Sequence, residues 1–300
     1  MKTLFLIGLG RMGSALAYRL KNRGWEIYGY SRTQTTRERA KKDLGIKVLN
    51  SYENLKNFPS PKTVWLMVPH TAVDEVLQNL KPFLNKGDTV IDGGNSYYKD
   101  SQRRYRELKE VDVNFLDVGV SGGILGKDTG FSFMIGGDEE VFKKHEKLFK
   151  DLAYEEKGYA YLGSSGAGHF AKMVHNGIEY GIMEAIAEGF ELLKKSPFDY
   201  DLREVARVYS QGSVIRSFLI DLLVKAFEDF GDLEDVEGYV EDSGEGRWCV
   251  KESVELGAPI PVIAQSFYER FSSREKDLFK NKVLAVLRYE FGRHRVKKKD

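Results

Sequence analysis

The sequence has little cysteine and little histidine, and both shortages narrow the chemistry open to it. Its one cysteine, Cys249, has no partner in the chain for a disulfide bond. The 5 histidines stand without cysteine or carboxylate neighbours at the spacing of metal ligands, so no metal site is indicated. We therefore expect metal-free chemistry and a reducing, cytoplasmic location.

Net charge and long apolar runs are also absent. The 46 Lys and Arg residues and the 45 Asp and Glu residues leave a formal charge of +1, which gives no basis for binding nucleic acid or an anionic membrane. The apolar run at residues 4–9 is too short for a secretory signal, and no stretch approaches the length of a membrane span. We expect no nucleic-acid or membrane partner, so any anionic ligand must be bound by a local cluster.

A glycine-rich motif follows the first apolar run. Residues 4–8 are typical of a short strand, the motif Gly8-Leu-Gly10-Arg-Met-Gly13 comes next, and residues 15–20 have helical periodicity. In this context G-x-G-x-x-G indicates a dinucleotide-binding site. Gly8 would form the turn, Gly10 would let the backbone approach a pyrophosphate, and Gly13 would let the helix pack closely. The predicted cofactor contacts in this loop are Gly8, Leu9, Gly10, Arg11, Met12 and Gly13.

The end of the second predicted strand, residues 25–30, indicates which dinucleotide is preferred. A site that prefers NAD usually has a carboxylate here for the ribose hydroxyls, whereas this sequence has Ser31, Arg32 and Thr33. An arginine and two hydroxyl groups can bind a 2′-phosphate. Two further arginines lie close by in the sequence, Arg37 and Arg39. We predict NADP as the cofactor in preference to NAD; the alternative is an arginine that stacks on the adenine without selecting for the phosphate.

Strand-like and helical stretches alternate through the first half of the sequence, which is typical of an α/β domain with a doubly wound, Rossmann-like parallel sheet. Ligands of such sheets bind beyond the carboxyl ends of the strands. Val68 and Pro69 follow one predicted strand and are predicted cofactor contacts, with Val68 as an apolar wall for a nicotinamide ring. Asn95 follows the next strand and is a further predicted cofactor contact, because its amide offers a donor and an acceptor where the substrate would meet the nicotinamide. The loop Ser121-Gly122-Gly123 offers a hydroxyl and backbone N–H groups suited to a carboxylate. Each loop, taken alone, could be only a turn.

The second half of the sequence changes character. Residues 166–195 have continuous helical periodicity, and the segments that follow also have helical patterns without a further strand signal. We predict a Rossmann-like domain over residues 1–165 and an all-helical C-terminal domain over residues 166–300. An extended helical surface without a large core of its own favours a homodimer or a higher homo-oligomer.

Four polar side chains share one face of the long predicted helix. Positions i, i+4, i+7 and i+8 are occupied by Lys172, Asn176, Glu179 and Tyr180. The apolar flanks predict a largely buried helix, and they include Met173, Ile178 and Ile182. Buried ionisable groups need a partner or a chemical function. The alternative is a salt-bridged lysine inside a core.

The second half also contains basic residues that could bind an anion. They are Arg216, Arg247, Arg288 and His294. Arg247 is the least ordinary of them, because it follows a glycine turn and precedes Trp248. Taken one at a time, each could equally be a surface charge.

Together these motifs resemble those of the 6-phosphogluconate dehydrogenase family, within the wider group of β-hydroxyacid dehydrogenases. The matching segments follow in order along nearly the whole chain, at residues 8–13, 93–96, 120–123, 166–180, 214–217 and 291–294. Residues 169–170 and 175–180 discriminate for this branch of the group. At 300 residues the chain resembles the short form of the family, whose long form has a larger helical domain.

The resemblance implies an activity in the pentose phosphate pathway. The substrate 6-phosphogluconate is oxidised at C3 by hydride transfer to the nicotinamide, the 3-keto acid loses carbon dioxide, and the enediol becomes ribulose 5-phosphate. The resemblance also implies that Lys172 is the general base, that Glu179 protonates C1 of the enediol, and that Asn176 holds the C3 oxygen. Implied contacts to the sugar acid are Asn95, Ser121, Gly122, Gly123 and His175. Implied phosphate contacts are Tyr180, Arg216 and Arg247, with Arg288 and His294 reaching in from the partner subunit.

The sequence departs from the long form of the family at two places. Arg247-Trp-Cys249 stands where the long form usually has lysine, tryptophan and threonine, so the charge is kept while the hydroxyl is lost. Arg293 stands where the family often has a small residue.

Two other functions fit part of the sequence. A 3-hydroxyacid dehydrogenase for a small unphosphorylated acid shares Lys172 and the Ser-Gly-Gly loop, but it has no need of the three arginines of the second half. A non-catalytic cofactor sensor would keep the glycines of residues 8–13, but it has no use for Lys172 and Glu179 at helical spacing.

Overall fold

The computed structural model describes residues 2–242, 244–275, 278–292 and 295. The chain divides into two units, Met1–His175 and Asn176–Asp300. The division falls inside a helix, a short distance beyond the domain boundary predicted at residues 165 and 166.

The first unit contains one eight-stranded sheet. Its strands are β1 (Thr3–Ile7), β2 (Glu26–Tyr30), β3 (Lys47–Val48), β4 (Thr63–Leu66), β5 (Thr89–Asp92), β6 (Asn114–Ser121), β7 (Ser132–Gly137) and β8 (Tyr159–Gly163). They lie in the order β3-β2-β1-β4-β5-β6-β7-β8. The chain moves outward from β1 in both directions, which confirms the predicted doubly wound arrangement.

Helices and two apolar clusters cover the two faces of this sheet. The helices of the first unit are α1 (Arg11–Asn22), α2 (Gln34–Leu44), α3 (Val73–Leu80), α4 (Tyr98–Lys109), α5 (Gly126–Thr129) and α6 (Glu139–Leu152). Short 3₁₀-helices occupy Tyr52–Asn57, His70–Ala72, Lys81–Phe83 and Tyr154–Glu156. In β1, Leu4 and Leu6 join one cluster whereas Phe5 and Ile7 join the other. Successive side chains of a strand point to opposite faces, so β1 is buried on both, as expected for a central parallel strand.

The pair of strands β6 and β7 departs from the predicted parallel sheet. These two strands are antiparallel, with Ser121 opposite Ser132, whereas the other neighbouring strands of the sheet are parallel. The connection at residues 122–131 holds only the four-residue helix α5. A parallel return needs a crossover of a dozen or more residues, so this connection permits only an antiparallel neighbour.

Two local elements differ from the sequence patterns. The two-residue strand β3 has no alternating pattern long enough to predict it. The sequence pattern predicts one helical stretch around residues 71–84, whereas the structure has α3 with a 3₁₀ segment on each side, and the second segment contains Pro82. Proline lacks the N–H group that continued α-helical hydrogen bonding requires, so the α-helix ends before it.

The second unit is built from helices. The long helix α7 (Ala167–Lys194) starts in the first unit and continues here, followed by α8 (Leu202–Ser210), α9 (Phe218–Phe230), α10 (Glu245–Glu255), α11 (Pro261–Ser272) and α12 (Phe279–Gly292). Within the described part of residues 176–300 no strand occurs, which confirms the predicted helical region. The sequence pattern predicts a helix over residues 214–230, but α9 starts at Phe218, because the Ser217 side chain accepts a hydrogen bond from the Ile220 N–H and caps the helix there.

The prediction that α7 is largely buried is wrong for part of its surface. Met173 is 3% exposed, but Ile178 is 50% exposed and Ile182 is 44% exposed. The buried side is fixed by small residues: a Cβ on Gly177 would lie 2.8 Å from the Cys249 Sγ. The helix α7 has apolar residues on all its sides, but the helices that pack on it within the second unit leave the side of Ile178 and Ile182 uncovered.

The start of α7 is held against β6 by a buried carboxylate. Asp117 is fully buried, and its two oxygens accept hydrogen bonds from the Gly166 N–H at 2.7 Å and the His169 N–H at 2.9 Å. A carboxylate at this position accepts hydrogen bonds from N–H groups that have no partner within the helix. Its negative charge also interacts favourably with the positive end of the helix dipole. Two residues along β6, Gly119 has no room for a side chain, since a Cβ there would collide with the Lys172 Cβ.

We expect the Gly119→Ala substitution to displace α7 from β6. Overpacking of this kind costs about 1–3 kcal/mol of stability, so the free energy of unfolding measured in urea should fall by that amount. Gly189→Ala is the control, because a Cβ there meets no atom within 4 Å, and alanine in a helix stabilises by about 0.5–1 kcal/mol relative to glycine. Equal stability of the Gly119 variant and the wild type would contradict the close contact.

Candidate active site

The glycine-rich loop between β1 and α1 has the geometry of a dinucleotide cradle. Gly8 has a φ of +103°, and a Cβ there would collide with the Met67 carbonyl oxygen. A Cβ on Gly13 would collide with the Gly8 carbonyl oxygen, whereas one on Gly10 would meet no atom within 4 Å. Gly8 and Gly13 therefore serve the turn and the helix packing, and Gly10 borders open space where a pyrophosphate can approach.

The first turn of α1 suits an anion. The helix starts at Arg11 after Gly10, with no side-chain cap and no acidic residue in its first turn. N–H groups at a helix start attract negative charge. Leu9 is fully buried, and Arg11 is exposed at the loop surface. The residues present thus fit the phosphates of a dinucleotide.

The turn after β2 is shaped by Arg37. Its Nη1 donates to the carbonyl oxygens of Ser31 at 2.5 Å and Arg32 at 3.1 Å, and its guanidinium lies 5.7 Å from the ring centroid of Tyr30. Arg37 is thus engaged in holding the turn, although the sequence suggested it as a further charge for a phosphate. The Arg32 side chain is exposed, and the Thr33 hydroxyl donates to the Thr36 hydroxyl at 2.7 Å.

The loops after β4 and β5 lie against each other. A Cβ on Gly94 would lie 2.7 Å from the Val68 carbonyl oxygen. Val68 is half-buried and Pro69 is exposed. Asn95 is exposed between the buried residues Gly94 and Ser96, so its amide is presented at the carboxyl edge of the sheet. This places the predicted nicotinamide wall and the predicted substrate amide in neighbouring loops.

Lys172 lies in a hydrogen-bonded chain that leads to the loop after β6. The lysine is 7% exposed, and its Nζ lies 3.3 Å from the His175 Nδ1. The His175 Nε2 lies 3.2 Å from the Ser121 hydroxyl. If Nζ donates to Nδ1, then Nε2 carries the ring proton and donates to Ser121. The structure therefore brings together three residues that the sequence proposed for one site.

The two glycines after Ser121 form an open turn. Gly122 and Gly123 have φ values of +117° and +58°, which favour glycine. A Cβ on Gly123 would meet no atom within 4 Å. Gly123 is exposed, and the turn lies immediately after the serine that bonds His175.

In the second unit, Tyr180 is paired with an arginine that the sequence patterns did not single out. Asn176 and Tyr180 are 8% and 7% exposed, and Glu179 is half-buried. The guanidinium of Arg270 lies 3.5 Å from the Tyr180 ring centroid, and its Nη1 donates to the Glu241 carbonyl oxygen at 2.8 Å. A cation so close to a tyrosine face forms a cation–π contact and adds positive charge beside the phenol.

Arg247 is already paired within the second unit. Its Nη2 donates to the Asp242 Oδ2 at 2.7 Å, and its guanidinium lies 5.6 Å and 5.4 Å from the rings of Phe267 and Phe271. Burial alone would raise the pKa of Asp242, but the hydrogen bonds from Arg247 and the Gly244 backbone lower this pKa overall. Asp242 is therefore ionised and orients the arginine.

Three predicted anion ligands of the second half remain, Arg216, Arg288 and His294. Arg216 is exposed in the connection between α8 and α9. Arg288 belongs to α12, and His294, like Arg293, lies outside the described residues. Burial raises the pKa of the Cys249 thiol, so this group stays neutral.

Sequence patterns did not find Asp117 or Arg270 as supporting residues, and they suggested Arg37 only as a further positive charge. Asp117 lies inside a strand pattern that has no polar periodicity, and its carboxylate acts on a helix about fifty residues later in the chain. Arg270 lies on α11 directly after Glu269, and a pair of charged residues in a helix is typical of a solvated surface. Only the tertiary contact identifies each role.

Two absences hold over the described ranges, residues 2–242, 244–275, 278–292 and 295. There, no group of three or more His, Cys, Asp or Glu side chains could hold a metal ion. The helices in the same ranges include none that is both long and apolar enough to cross a bilayer.

The chain matches two family models in succession. Residues 3–163 match the NAD binding domain of 6-phosphogluconate dehydrogenase, and residues 168–299 match the 6-phosphogluconate dehydrogenase C-terminal domain. A decarboxylating, NAD(+)-dependent 6-phosphogluconate dehydrogenase of Haloferax volcanii is 41% identical over 300 residues, 99% of either chain. A decarboxylating, NADP(+)-dependent 6-phosphogluconate dehydrogenase of Bacillus subtilis is 36% identical over 91% of this chain and 61% of its own length.

A solved structure agrees with these matches. The Plasmodium falciparum 6-phosphogluconate dehydrogenase, solved in its apo form, with NADP+ and with 6-phosphogluconate, has a TM-score of 0.83 and 29% identity. The similarity covers 99% of this chain and 66% of that chain. The chain thus has the length of the Haloferax relative and spans about two thirds of the longer proteins. It belongs to the 6-phosphogluconate dehydrogenase family.

Proposed function

We propose that this chain catalyses the oxidative decarboxylation of 6-phosphogluconate to ribulose 5-phosphate and carbon dioxide, with NADP or NAD as the hydride acceptor. The observation that carries the proposal is the buried Lys172, whose Nζ lies 3.3 Å from the His175 Nδ1, while the other ring nitrogen of His175 lies 3.2 Å from the hydroxyl of Ser121 at the end of β6. Family membership supports the substrate, since relatives across the full chain length bear this activity in their names.

The first proton step is assigned to Lys172. The bound dinucleotide supplies the hydride acceptor for C3. The Nζ of Lys172, as a neutral amine, takes the proton of the C3 hydroxyl, and burial disfavours the charged form of an amine. The resulting ammonium donates hydrogen bonds to the His175 Nδ1 and to the C3 oxygen. This ammonium stabilises the negative charge that develops on that oxygen as carbon dioxide leaves.

The later steps are assigned to residues further along α7. Asn176 donates to the C3 oxygen through its amide, and Glu179 gives a proton to C1 of the enediol. Helical periodicity places Glu179 two turns beyond Lys172 on the same face, as successive proton transfers to one substrate require. Asn95, Ser121 and the turn formed by Gly122 and Gly123 would orient the sugar acid.

The phosphate end is assigned to Tyr180 and nearby arginines. Arg270, stacked on Tyr180 at 3.5 Å, joins the residues inferred from the sequence. The paired Arg247 offers the guanidinium edge that Asp242 does not use. Arg216 remains a candidate from the sequence alone, as do Arg288 and His294 reaching in from a partner subunit. A small unphosphorylated 3-hydroxy acid would leave these cations without a function.

A preference for NADP over NAD is proposed from the turn after β2. Arg32 in this turn is exposed, so its cationic side chain is available to a 2′-phosphate. Arg37 instead holds the turn by donating a hydrogen bond to the Ser31 carbonyl oxygen. The named relatives include both NAD(+)- and NADP(+)-dependent enzymes, so the choice rests on this turn. A reducing, cytoplasmic location agrees with a buried free thiol at Cys249.

A homodimer is proposed from the apolar surface of the second unit. Exposed side chains there include Ile178, Ile182, Phe218, Leu222 and Val262, at 36–69% exposure. Large apolar patches on a soluble protein mark interaction sites. A second copy of the chain would cover them and bring its own C-terminal residues to the neighbouring active site, as the resemblance implies.

The activity is tested by incubating the chain with 6-phosphogluconate and NADP and measuring NADPH together with carbon dioxide. We expect both products in equal amounts. Lys172→Met should lower kcat by roughly 10²–10⁴-fold, as expected for loss of a general base, with cofactor binding retained. Glu179→Gln should lower kcat because C1 loses its proton donor.

The matched controls for these two variants are Lys194→Met and Glu191→Gln, exposed residues at the far end of α7. Both should keep the wild-type kcat. A Lys172 variant at the wild-type rate would remove the assignment of the base. Turnover of a small 3-hydroxy acid but not of 6-phosphogluconate would favour the 3-hydroxyacid dehydrogenase.

The cofactor preference is tested by comparing kcat/KM for NADP and NAD. Arg32→Leu should lower kcat/KM for NADP by roughly ten- to hundredfold, because a charged hydrogen bond contributes about 1.5–3 kcal/mol. The value for NAD should change little. Lys42→Leu, an exposed change in the last turn of α2, is the control. Equal wild-type values for the two cofactors would refute the preference.

The oligomer is tested by light scattering after size-exclusion chromatography. We expect a mass at least twice the 34.2 kDa of one chain. Ile182→Glu should lower this mass toward one chain, because a buried charge at an apolar interface is strongly unfavourable. Val111→Glu changes a 53% exposed residue of the first unit and should leave the mass unchanged. A wild-type monomer would overturn the proposal.

A further inference from the structure

A buried ion pair lies directly beneath the loop that presents Asn95. Asp92 ends β5 and is fully buried, and Arg104 on α4 is 2% exposed. The Arg104 Nη1 lies 3.1 Å from the Asp92 Oδ2. A buried carboxylate is tolerated only when it is paired and hydrogen-bonded. This pair is therefore a fixed element at the carboxyl edge of the sheet.

The same pair holds both neighbours of Asn95. The Asp92 Oδ1 accepts from the Gly94 N–H at 3.1 Å, and its Oδ2 accepts from the Ser96 hydroxyl at 2.8 Å. The Arg104 Nη1 also donates to that hydroxyl, at 3.0 Å. Gly94 and Ser96 are buried while Asn95 is exposed, so the loop is pinned on each side of the one residue that faces outward.

The arginine is in turn anchored from a second helix. The Arg104 Nε donates to the Asp74 Oδ1 on α3 at 2.7 Å. Both donor sides of the guanidinium are thus engaged, one with Asp74 and the other with the loop. The planar group cannot rotate without breaking contacts to α3 or to the loop.

We infer that Arg104 and Asp92 are positioning residues that fix the Asn95 amide for the substrate. The inference rests on the proposed function, in which Asn95 orients the sugar acid. Neither residue touches the substrate; each acts through the loop at residues 93–96. Loss of the pair would let Asn95 shift, and a misplacement of about 1 Å in an orienting group can lower a rate by about 10²-fold.

The test is a double-mutant cycle on kcat with 6-phosphogluconate and NADP. We expect Arg104→Lys and Ser96→Ala each to lower kcat roughly tenfold or more. In the Asn95→Ala background the same changes should lower kcat no further, because the residue they position is gone. Arg103→Lys is the matched control: Arg103 also binds Asp74, at 2.8 Å, but it makes no contact with the loop among the hydrogen bonds of the described residues, and its kcat should stay at the wild-type value.

The outcomes separate this inference from the proposed function. A wild-type chain without activity on 6-phosphogluconate would overturn the proposed function and the inference with it. An active wild type whose Arg104 and Ser96 variants keep full kcat, or lower kcat by the same factor with and without Asn95, would overturn the inference alone. Ser96→Ala removes only a hydroxyl group, so it gives the answer where the Arg104 variant fails to fold, as judged by its Tm.

Discussion

The buried carboxylate of Asp117 is the interaction on which the candidate site depends most. It accepts N–H hydrogen bonds from Gly166 and His169 and so fixes where α7 begins on β6. A helix turns by about 100° per residue, so a change of one residue in this start would turn Lys172 away from Ser121. A carboxylate inside the sheet therefore determines which face of α7 lies against the sheet.

Close approach of backbone segments is the second condition, and it recurs along the carboxyl edge of the sheet. Gly8 lies against Met67, and Gly119 lies against Lys172, each where a Cβ would collide. Gly93 is confined in the same way by the indole nitrogen of Trp65. Each glycine brings a ligand-facing loop or helix nearer to the sheet than a side chain would allow. The cradle for the dinucleotide and the lysine environment thus rest on the same steric principle.

The parts of the molecule that sequence predicted are those with a local signal. The order strand, glycine turn and helix at residues 3–22 is contained in one segment, and the helical spacing of Lys172 and Glu179 is contained in another. The strand β7 has a strand pattern of its own, but its antiparallel direction was missed because direction depends on the length of a connection. The exposure of Ile178 was missed because periodicity shows that a residue is apolar but not whether a neighbouring helix covers it.

The arginines show why charge in a sequence is a weak guide to an anion site. The chain is nearly neutral, and several of its arginines are already engaged. Arg37 binds backbone carbonyls, Arg104 binds a buried aspartate, and Arg247 binds Asp242. Arg270 is held at an aromatic face and a backbone carbonyl. A guanidinium has five N–H donors in one plane, so an arginine that already has a protein partner is held in one orientation and can still donate to a second group. An arginine can therefore bind a phosphate only through the edge of its guanidinium plane that its protein partners leave open. Which edge is open depends on the tertiary structure alone.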